Sequence, residues 1–203
     1  TYIAHTLEKC NLLSGLIIQT RQNHIPQPPL DISNDLKKLF KLHFQKRFDS
    51  ENCFFKHGEL PAVNKLDITP EQINSQKVID FIKSIKPDLI LSYGINKLSD
   101  EVINSSHGEA WNIHGGLSPW YKGTITHFWP SYFLEPRMTG MTIHQLTQQL
   151  DGGDIVHQNA AELVKGDGLH DLSCRAVVGI GKELPKILSL MQTKGKLKKC
   201  PQN

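Results

Sequence analysis

The chain has 203 residues, enough for one domain with a full core and no need of disulfide staples. It is 38% apolar and 21% charged, with a formal charge of +3 and a pI near 8.6, which fits an ordinary globular protein and argues against a dedicated nucleic-acid binder. Four scattered cysteines form no C-x-x-C pair and read as free thiols of a reducing, cytoplasmic protein; no apolar run is long enough to span a membrane, and no signal peptide is visible.

"TYIAHTLEKC" reads as the back of a helix that feeds an apolar strand, "LLSGLIIQT" (12–20), so a first strand is expected upstream. A proline-rich loop follows, and then a helix over 35–48 with Leu36, Leu39, Phe40 and Phe44 on one face and solvated lysines opposite. Residues 49–68 show no clear period. Thr69, Pro70 and Gln72 have the pattern of a capping box, and Ser75 is a second candidate N-cap for a helix that turns Ile79, Ile82 and Ile85 inward and ends at Pro87. "DLILSY" (88–93) is the next strand, closed by a turn at Gly94. Ser99 caps a short helix, and "EAWNIH" (109–114) is a third strand. "TITHFWPSYFLE" predicts a helix kinked by Pro130; "TGMTIHQLT" (139–147) and "IVHQNAAELV" predict strands on either side of a tight turn at 150–154. A final helical region is expected to be interrupted by Gly179, Gly181 and Pro185, and "KGKLKKC" to be a solvated basic tail. The strand–helix alternation implies an α/β sheet with parallel pairs, whose ligands bind beyond the carboxyl ends of the strands.

Asn112 and His114 stand at such an end. Two residues apart in a strand, they share a face. An amide donor beside an imidazole can polarise a carbonyl and hold negative charge on its oxygen, and a histidine can also move protons. The plainer alternative is a histidine satisfied by backbone. Asp151 and Asp154, in "LDGGD", form either an ordinary turn or a carboxylate placed to orient a histidine or to take a proton from an attacking amine. "GIGK" (179–182) lacks phosphate-loop spacing and reads as a helix-packing glycine pair. His114, His127, His144 and His157 have no metal-ligand spacing, so no metal is expected. Most aromatic residues of the region belong to a core, but Trp120 and Tyr121 lie in a glycine- and proline-rich loop where they could stack on a flat ligand.

Together, "NIHGGLSPWYKG" and "LDGGDI" resemble the formyltransferase family that uses 10-formyltetrahydrofolate. That family carries N-x-H, a leucine- and proline-bearing loop closing on a glycine, and then an aspartate in a D-x-G turn. Here the loop closes at Gly123, and Asp151 follows His114 by 37 positions. "KPDLILSYG" resembles the family's preceding strand. The resemblance covers residues 78–165 well and the N-terminal part loosely. It implies a Rossmann-like three-layer α/β sandwich with a mostly parallel central sheet: residues 1–165 as catalytic core, 166–203 as a helical extension of the same domain.

The resemblance also implies a catalytic trio of Asn112, His114 and Asp151. It implies a folate pocket from Tyr93, Gly94, Ile95, Asn96, Lys97 and Leu98 on one side. Thr147, Gln148, Gln149, Leu150 and Asp154 stand on the other. The acceptor side is then Gly115, Gly116, Trp120, Tyr121, Lys122 and Gly123. Gly115 and Gly116 replace the family's usual Pro-Ser, which points to a different acceptor from the best-known ones. The implied reaction is attack of a primary amine on the formyl carbon carried by the folate co-substrate, with no metal. Among acceptors, methionyl-tRNA fits poorly with the mild charge and the chain length, and the ribonucleotide enzyme's N-terminal phosphate loop is not visible. A nucleotide-linked amino sugar is the expected acceptor; glycinamide ribonucleotide, methionyl-tRNA and a non-catalytic folate-binding relative remain as alternatives. The resemblance further implies a homodimer; from the mild charge no stable nucleic-acid partner is expected, and from the lack of a long apolar run no membrane.

Overall fold

A computed structural model describes residues 2–20, 26–55 and 58–202. The first part of the proline-rich loop lies outside the described residues. β1 (Gly15–Gln19) pairs in parallel with β2 (Asn64–Ile68). A second sheet runs in the order β3 (Leu89–Tyr93), β4 (Glu109–His114), β5 (Gly140–Gln145), β6 (Ile155–Ala160). In it β3 and β4 are parallel, and β5 is antiparallel to both its neighbours. The side chains of Gln19 and Asn96 bond to each other across the carboxyl ends of β1 and β3.

The helices are α1 (Tyr2–Lys9), α2 (Asn34–Phe55), α3 (Gln76–Ile85), α4 (Asp100–Ile103), α5 (Phe128–Tyr132) and α6 (Leu169–Lys194). Strand alternation divides the core in two. Trp111, Ile113, Met141 and Ile143 of β4 and β5 pack with α1 and α6. Leu66 and Ile68 of β2 pack with Val78, Ile82 and Val102 of α3 and α4. Leu89 and Leu91 of β3 face the first cluster and Ile90 the second, so helices cover both faces of this α/β fold.

Both candidate N-cap residues near residue 70 stand at helix starts, though the Ser75 hydroxyl makes no capping bond. Thr69 opens a one-turn 3₁₀ helix in which Gln72 Oε1 accepts the Thr69 N–H at 3.0 Å, half of a capping box, and Ser75 stands at the N-cap of α3. Lys86 then turns left-handed (φ 53°) just before Pro87, which ends the helix. Ser99 Oγ accepts from Val102 N at the start of α4.

Several elements depart from the sequence reading. α2 continues to Phe55 and buries none of its side chains; Leu36 and Leu39 are more than half exposed. β2 lies in the stretch without apparent period, because only Leu66 and Ile68 mark its inner face. α5 has five residues and ends where Leu134 turns left-handed (φ 59°).

α6 runs unbroken through Gly179, Gly181 and Pro185. Its glycines are sites of close packing: a Cβ on Gly179 would fall 2.4 Å from Asn159 Nδ2, and one on Gly181 2.5 Å from the Tyr2 ring. Tertiary contact outweighs the poor helix propensity of these residues. The basic tail is docked as well. Cys200 and Ile155 exchange backbone hydrogen bonds of 2.8 Å, and Lys199 is paired with Glu109.

Candidate active site

Three adjacent strands build the site in register. Ser92 of β3, Asn112 of β4 and His144 of β5 stand side by side, and one step along β4 and β5 His114 stands beside Thr142. All lie on the face opposite Trp111 and Ile113, because strand side chains alternate. His114 is 6% exposed and Asp151 8%, so water screens them weakly.

Asp151 joins the two histidines. Its Oδ2 lies 3.3 Å from His114 Nδ1 and its Oδ1 3.4 Å from His144 Nε2. The same Oδ2 accepts the Gly123 N–H at 2.8 Å, tying the aspartate turn to the end of the loop that starts at His114. Burial works to raise the Asp151 carboxyl. The neighbouring His144 ring, the Gly123 N–H and the charges the two histidines carry when protonated overcome it and hold the carboxyl below its ordinary 3.8. It therefore stays ionised at neutral pH.

His114 Nε2 is 2.6 Å from the Tyr121 carbonyl. A carbonyl only accepts, so Nε2 carries a proton there. Asn112 Nδ2 lies 3.2 Å from His144 Nε2, and its Oδ1 accepts from Ser92 Oγ at 2.8 Å.

The loop from 115 to 126 folds closely over this group. A Cβ on Gly116 would fall 2.5 Å from Tyr121 O and 2.8 Å from His114 Nε2, so no larger residue fits in this arrangement. Thr142 Oγ1 donates to Gly116 O and receives Ser118 N–H, while Thr126 Oγ1 donates to Gly115 O. His127 lies beneath Gly115, partly buried, with Nε2 3.1 Å from Gly140 O. Burial lowers its pKa to about 4, against the raising effect of the Gly140 bond; the charges of His114 and Arg47 lower it further.

A cavity of about 790 Å³ opens on these residues, within the range of small-molecule sites. Asn112, His114 and Asp151 line it together. So do Tyr93, Gly94, Ile95, Asn96 and Leu150 of the expected folate loops, and Gly115 and Gly123 of the acceptor loop.

Other expected residues stand outside the lining. Leu98 is a core side chain packed with α3 and α4. Lys97 Nζ donates to Gln148 O at 2.7 Å, and Gln148 bonds Asp100, so these two tie the expected folate loops together. Thr147 Oγ1 caps the Gln149 carbonyl inside its own turn, and the Asp154 carbonyl accepts Gln145 N–H. Tyr121 OH bonds Glu135, Trp120 is 69% exposed, and Gly116 and Lys122 also lie outside the lining.

The sequence reading did not assign Gln19, Thr20, Pro70, Glu71 or residues 124–126 to the cavity, and it missed His144 as a partner of Asn112 and Asp151. The first four come from the ends of β1 and β2. They reach the cavity only through a strand order that no local pattern encodes. His144 depends on the antiparallel register that sets it opposite Asn112.

The arrangement offers an amide donor and a protonated imidazole nitrogen beside a fixed carboxylate, at the rim of a cavity with room for two reactants. That suits holding negative charge on a carbonyl oxygen while a nearby nitrogen gives up a proton. Among the described residues, no group of three or more His, Cys, Asp or Glu could hold a metal ion.

Comparison with known proteins gives a consistent picture. The formyl transferase family model matches residues 9–185. The bifunctional polymyxin resistance protein ArnA of Wigglesworthia glossinidia brevipalpis is 34% identical over 110 residues, 53% of this chain; the match spans only 17% of ArnA's own length. Among solved structures, phosphoribosylglycinamide formyltransferase of Anaplasma phagocytophilum superposes with a TM-score of 0.66 at 17% identity, covering 95% of this chain and 82% of that one. The formyltransferase PseJ of Anoxybacillus kamchatkensis, solved with UDP-4,6-dideoxy-4-formamido-L-AltNAc and tetrahydrofolate, superposes with a TM-score of 0.56 at 20% identity, covering 94% and 82%. At these identities the superpositions establish the fold.

Proposed function

The chain belongs to the formyl transferase family, and on that premise we propose that it moves a formyl group from 10-formyltetrahydrofolate to the primary amine of a nucleotide-linked sugar. The observation that carries this reading is the convergence of Asn112, His114 and Asp151 on one cavity, with His114 and Asp151 3.3 Å apart.

The donor class draws support from PseJ, whose structure holds tetrahydrofolate, and from the cavity's fit to such a group. Its lining combines Ile95, Ile125 and Leu150 with backbone and amide groups, as a flat bicyclic ring with polar edges requires. Residues 93–96 and Leu150 would hold the ring. Bound there, the formyl-folate supplies an acyl carbon that is already reactive and a nitrogen that departs as it takes up a proton.

The chain's own residues do the rest. Asn112 Nδ2–H donates a hydrogen bond where charge gathers on the formyl oxygen, and His114 Nε2–H, bonded to Tyr121 O in this structure, joins it by exchanging that carbonyl for the formyl oxygen. Asp151, kept ionised, holds the His114 ring through Nδ1 and accepts the proton that the attacking nitrogen sheds, the proton that the departing folate nitrogen takes up. The cavity walls bring acceptor and donor together and exclude water, which supplies much of the acceleration.

PseJ's UDP-linked formamido sugar supports the sugar acceptor. Gly116 admits no side chain in this arrangement, which lets the loop from 115 to 126 fold closely beside the cavity. The test is direct. The protein is incubated with 10-formyltetrahydrofolate and a panel of nucleotide-linked amino sugars, glycinamide ribonucleotide and methionyl-tRNA, and formylated product is sought by mass. Product from a sugar supports the reading; product only from another acceptor replaces its second half.

A further inference from the structure

Ser92, Asn112 and His144 form a row across β3, β4 and β5, each in register with the next. A neutral His144 has one ring proton to give, and with that proton on Nδ1 it cannot donate to Asp151 Oδ1, 3.4 Å from Nε2, so the hydrogen bonds along the row then run in one direction. His144 Nδ1 is 2.8 Å from Gln145 O, which can only accept, so the proton sits on Nδ1. Nε2 then presents a lone pair, and the Asn112 group 3.2 Å away must be the amide NH₂. That turns Asn112 Oδ1 toward Ser92, whose hydroxyl donates to it at 2.8 Å; the other acceptor near Ser92 Oγ, Trp111 O, is farther away at 3.4 Å. Ser92 is 5% exposed, so no bulk water can replace its bond. One Nδ2 proton of Asn112 is given to His144. The other has no acceptor among the described hydrogen bonds, and Asn112 lines the cavity.

We infer that Ser92 is a positioning residue for formyl transfer. Its hydroxyl fixes the Asn112 amide with nitrogen toward His144 and the second N–H free for the formyl oxygen. Without that bond the amide can turn over and present its oxygen, an acceptor, where a donor is needed. Protonation of His144 would favour the same reversal, because Nε2 would then donate to Asp151 Oδ1, 3.4 Å away, and no longer accept from Asn112. Ser92 therefore holds the end of the amide that His144 alone leaves reversible. The inference rests on the catalytic reading of Asn112 given above.

The test measures kcat and KM for the wild type, Ser92→Ala, Ser92→Thr, Asn112→Ala and the Asn112→Ala/Ser92→Ala pair, each checked by thermal melting. Ser92→Ala should lower kcat on the order of tenfold, the usual weight of one buried hydrogen bond, with KM for both substrates unchanged. Ser92→Thr, which keeps the hydroxyl, should restore most of the rate. In the Asn112→Ala background, Ser92→Ala should change kcat by less than about twofold, because the group it positions is gone. A tenfold loss in that background too, or a loss confined to KM, overturns the inference.

A second readout needs no turnover. The Asn112 side-chain amide protons, identified in NMR spectra by their loss in Asn112→Ala, should exchange faster and shift in Ser92→Ala. An unchanged pair overturns the inference. If the wild type formylates none of the acceptors, the functional reading fails by itself, and the NMR result still decides the role of Ser92.

Discussion

His127 ties folding stability to pH. Its ring lies partly buried beneath Gly115, and its pKa falls from the ordinary 6.5 to about 4. Desolvation of the charged ring is the main cause. The unfolded chain therefore binds this proton at a higher pH than the folded one. Stability from His127 is complete above pH 6.5 and is lost as pH falls toward 4. At 1.36 kcal/mol per pH unit, and discounted for the ring's partial exposure, the loss is roughly 2–3 kcal/mol, most of it present by pH 4.5.

His127→Gln keeps a donor for Gly140 O but cannot ionise. Urea unfolding at pH 7, 6, 5 and 4.5 should show the wild type losing stability relative to this variant. At a slope near 2 kcal/mol per M, the wild-type midpoint should move by about 1 M more than the variant's. Comparing the two cancels His43 and His170, whose pKa values are also lowered by burial. Parallel pH profiles for the two proteins would refute the reasoning.

His114→Ala should abolish formyl transfer and leave the melting temperature within a few degrees of wild type; near-normal turnover would remove this residue from the mechanism. Gly181→Val should destabilise by about 1–3 kcal/mol through overpacking, because its Cβ would sit 2.5 Å from the Tyr2 ring, and a Tyr2→Ala second change should recover part of the loss. The Cys174 thiol is buried, and its pKa is pushed up to about 12, while Cys10, Cys53 and Cys200 are exposed. A disulfide reagent at pH 8 should therefore titrate three thiols quickly and the fourth only on unfolding; four fast thiols would contradict the packing of α6.

The proposed chemistry of this chain is local, which is why much of it can be read from the sequence. Asn112 and His114 are two residues apart on one strand, and strand geometry alone gives them a common face. Asp151 is distant, but its glycine-flanked turn follows at a spacing that the family resemblance interprets. The helix from Ser75 to Lys86 and the strand ending in His114 carry their own caps and periodicity.

What could not be read depends on tertiary contact. β2 shows only two inward apolar residues, too few to stand out among Asn64, Lys65 and Asp67. The continuity of α6 comes from β6 and α1 closing on Gly179 and Gly181, against the propensity of the helix itself. The tail that composition marks as solvated is held by a two-way backbone bridge to Ile155. His144 and Ser92 have no signature of their own and matter only through register with Asn112.

The most direct test of the account is a single-turnover experiment. Wild type and Asp151→Asn are mixed in excess with 10-formyltetrahydrofolate and the acceptor found by panel screening, and transfer is followed by loss of the formyl-folate absorbance. The account predicts rapid transfer by the wild type. It also predicts a loss of at least a hundredfold in Asp151→Asn, whose amide can neither take the amine proton nor hold a protonated His114. Transfer by the variant at a rate close to wild type would contradict the assignment of this cavity as the site of formyl transfer.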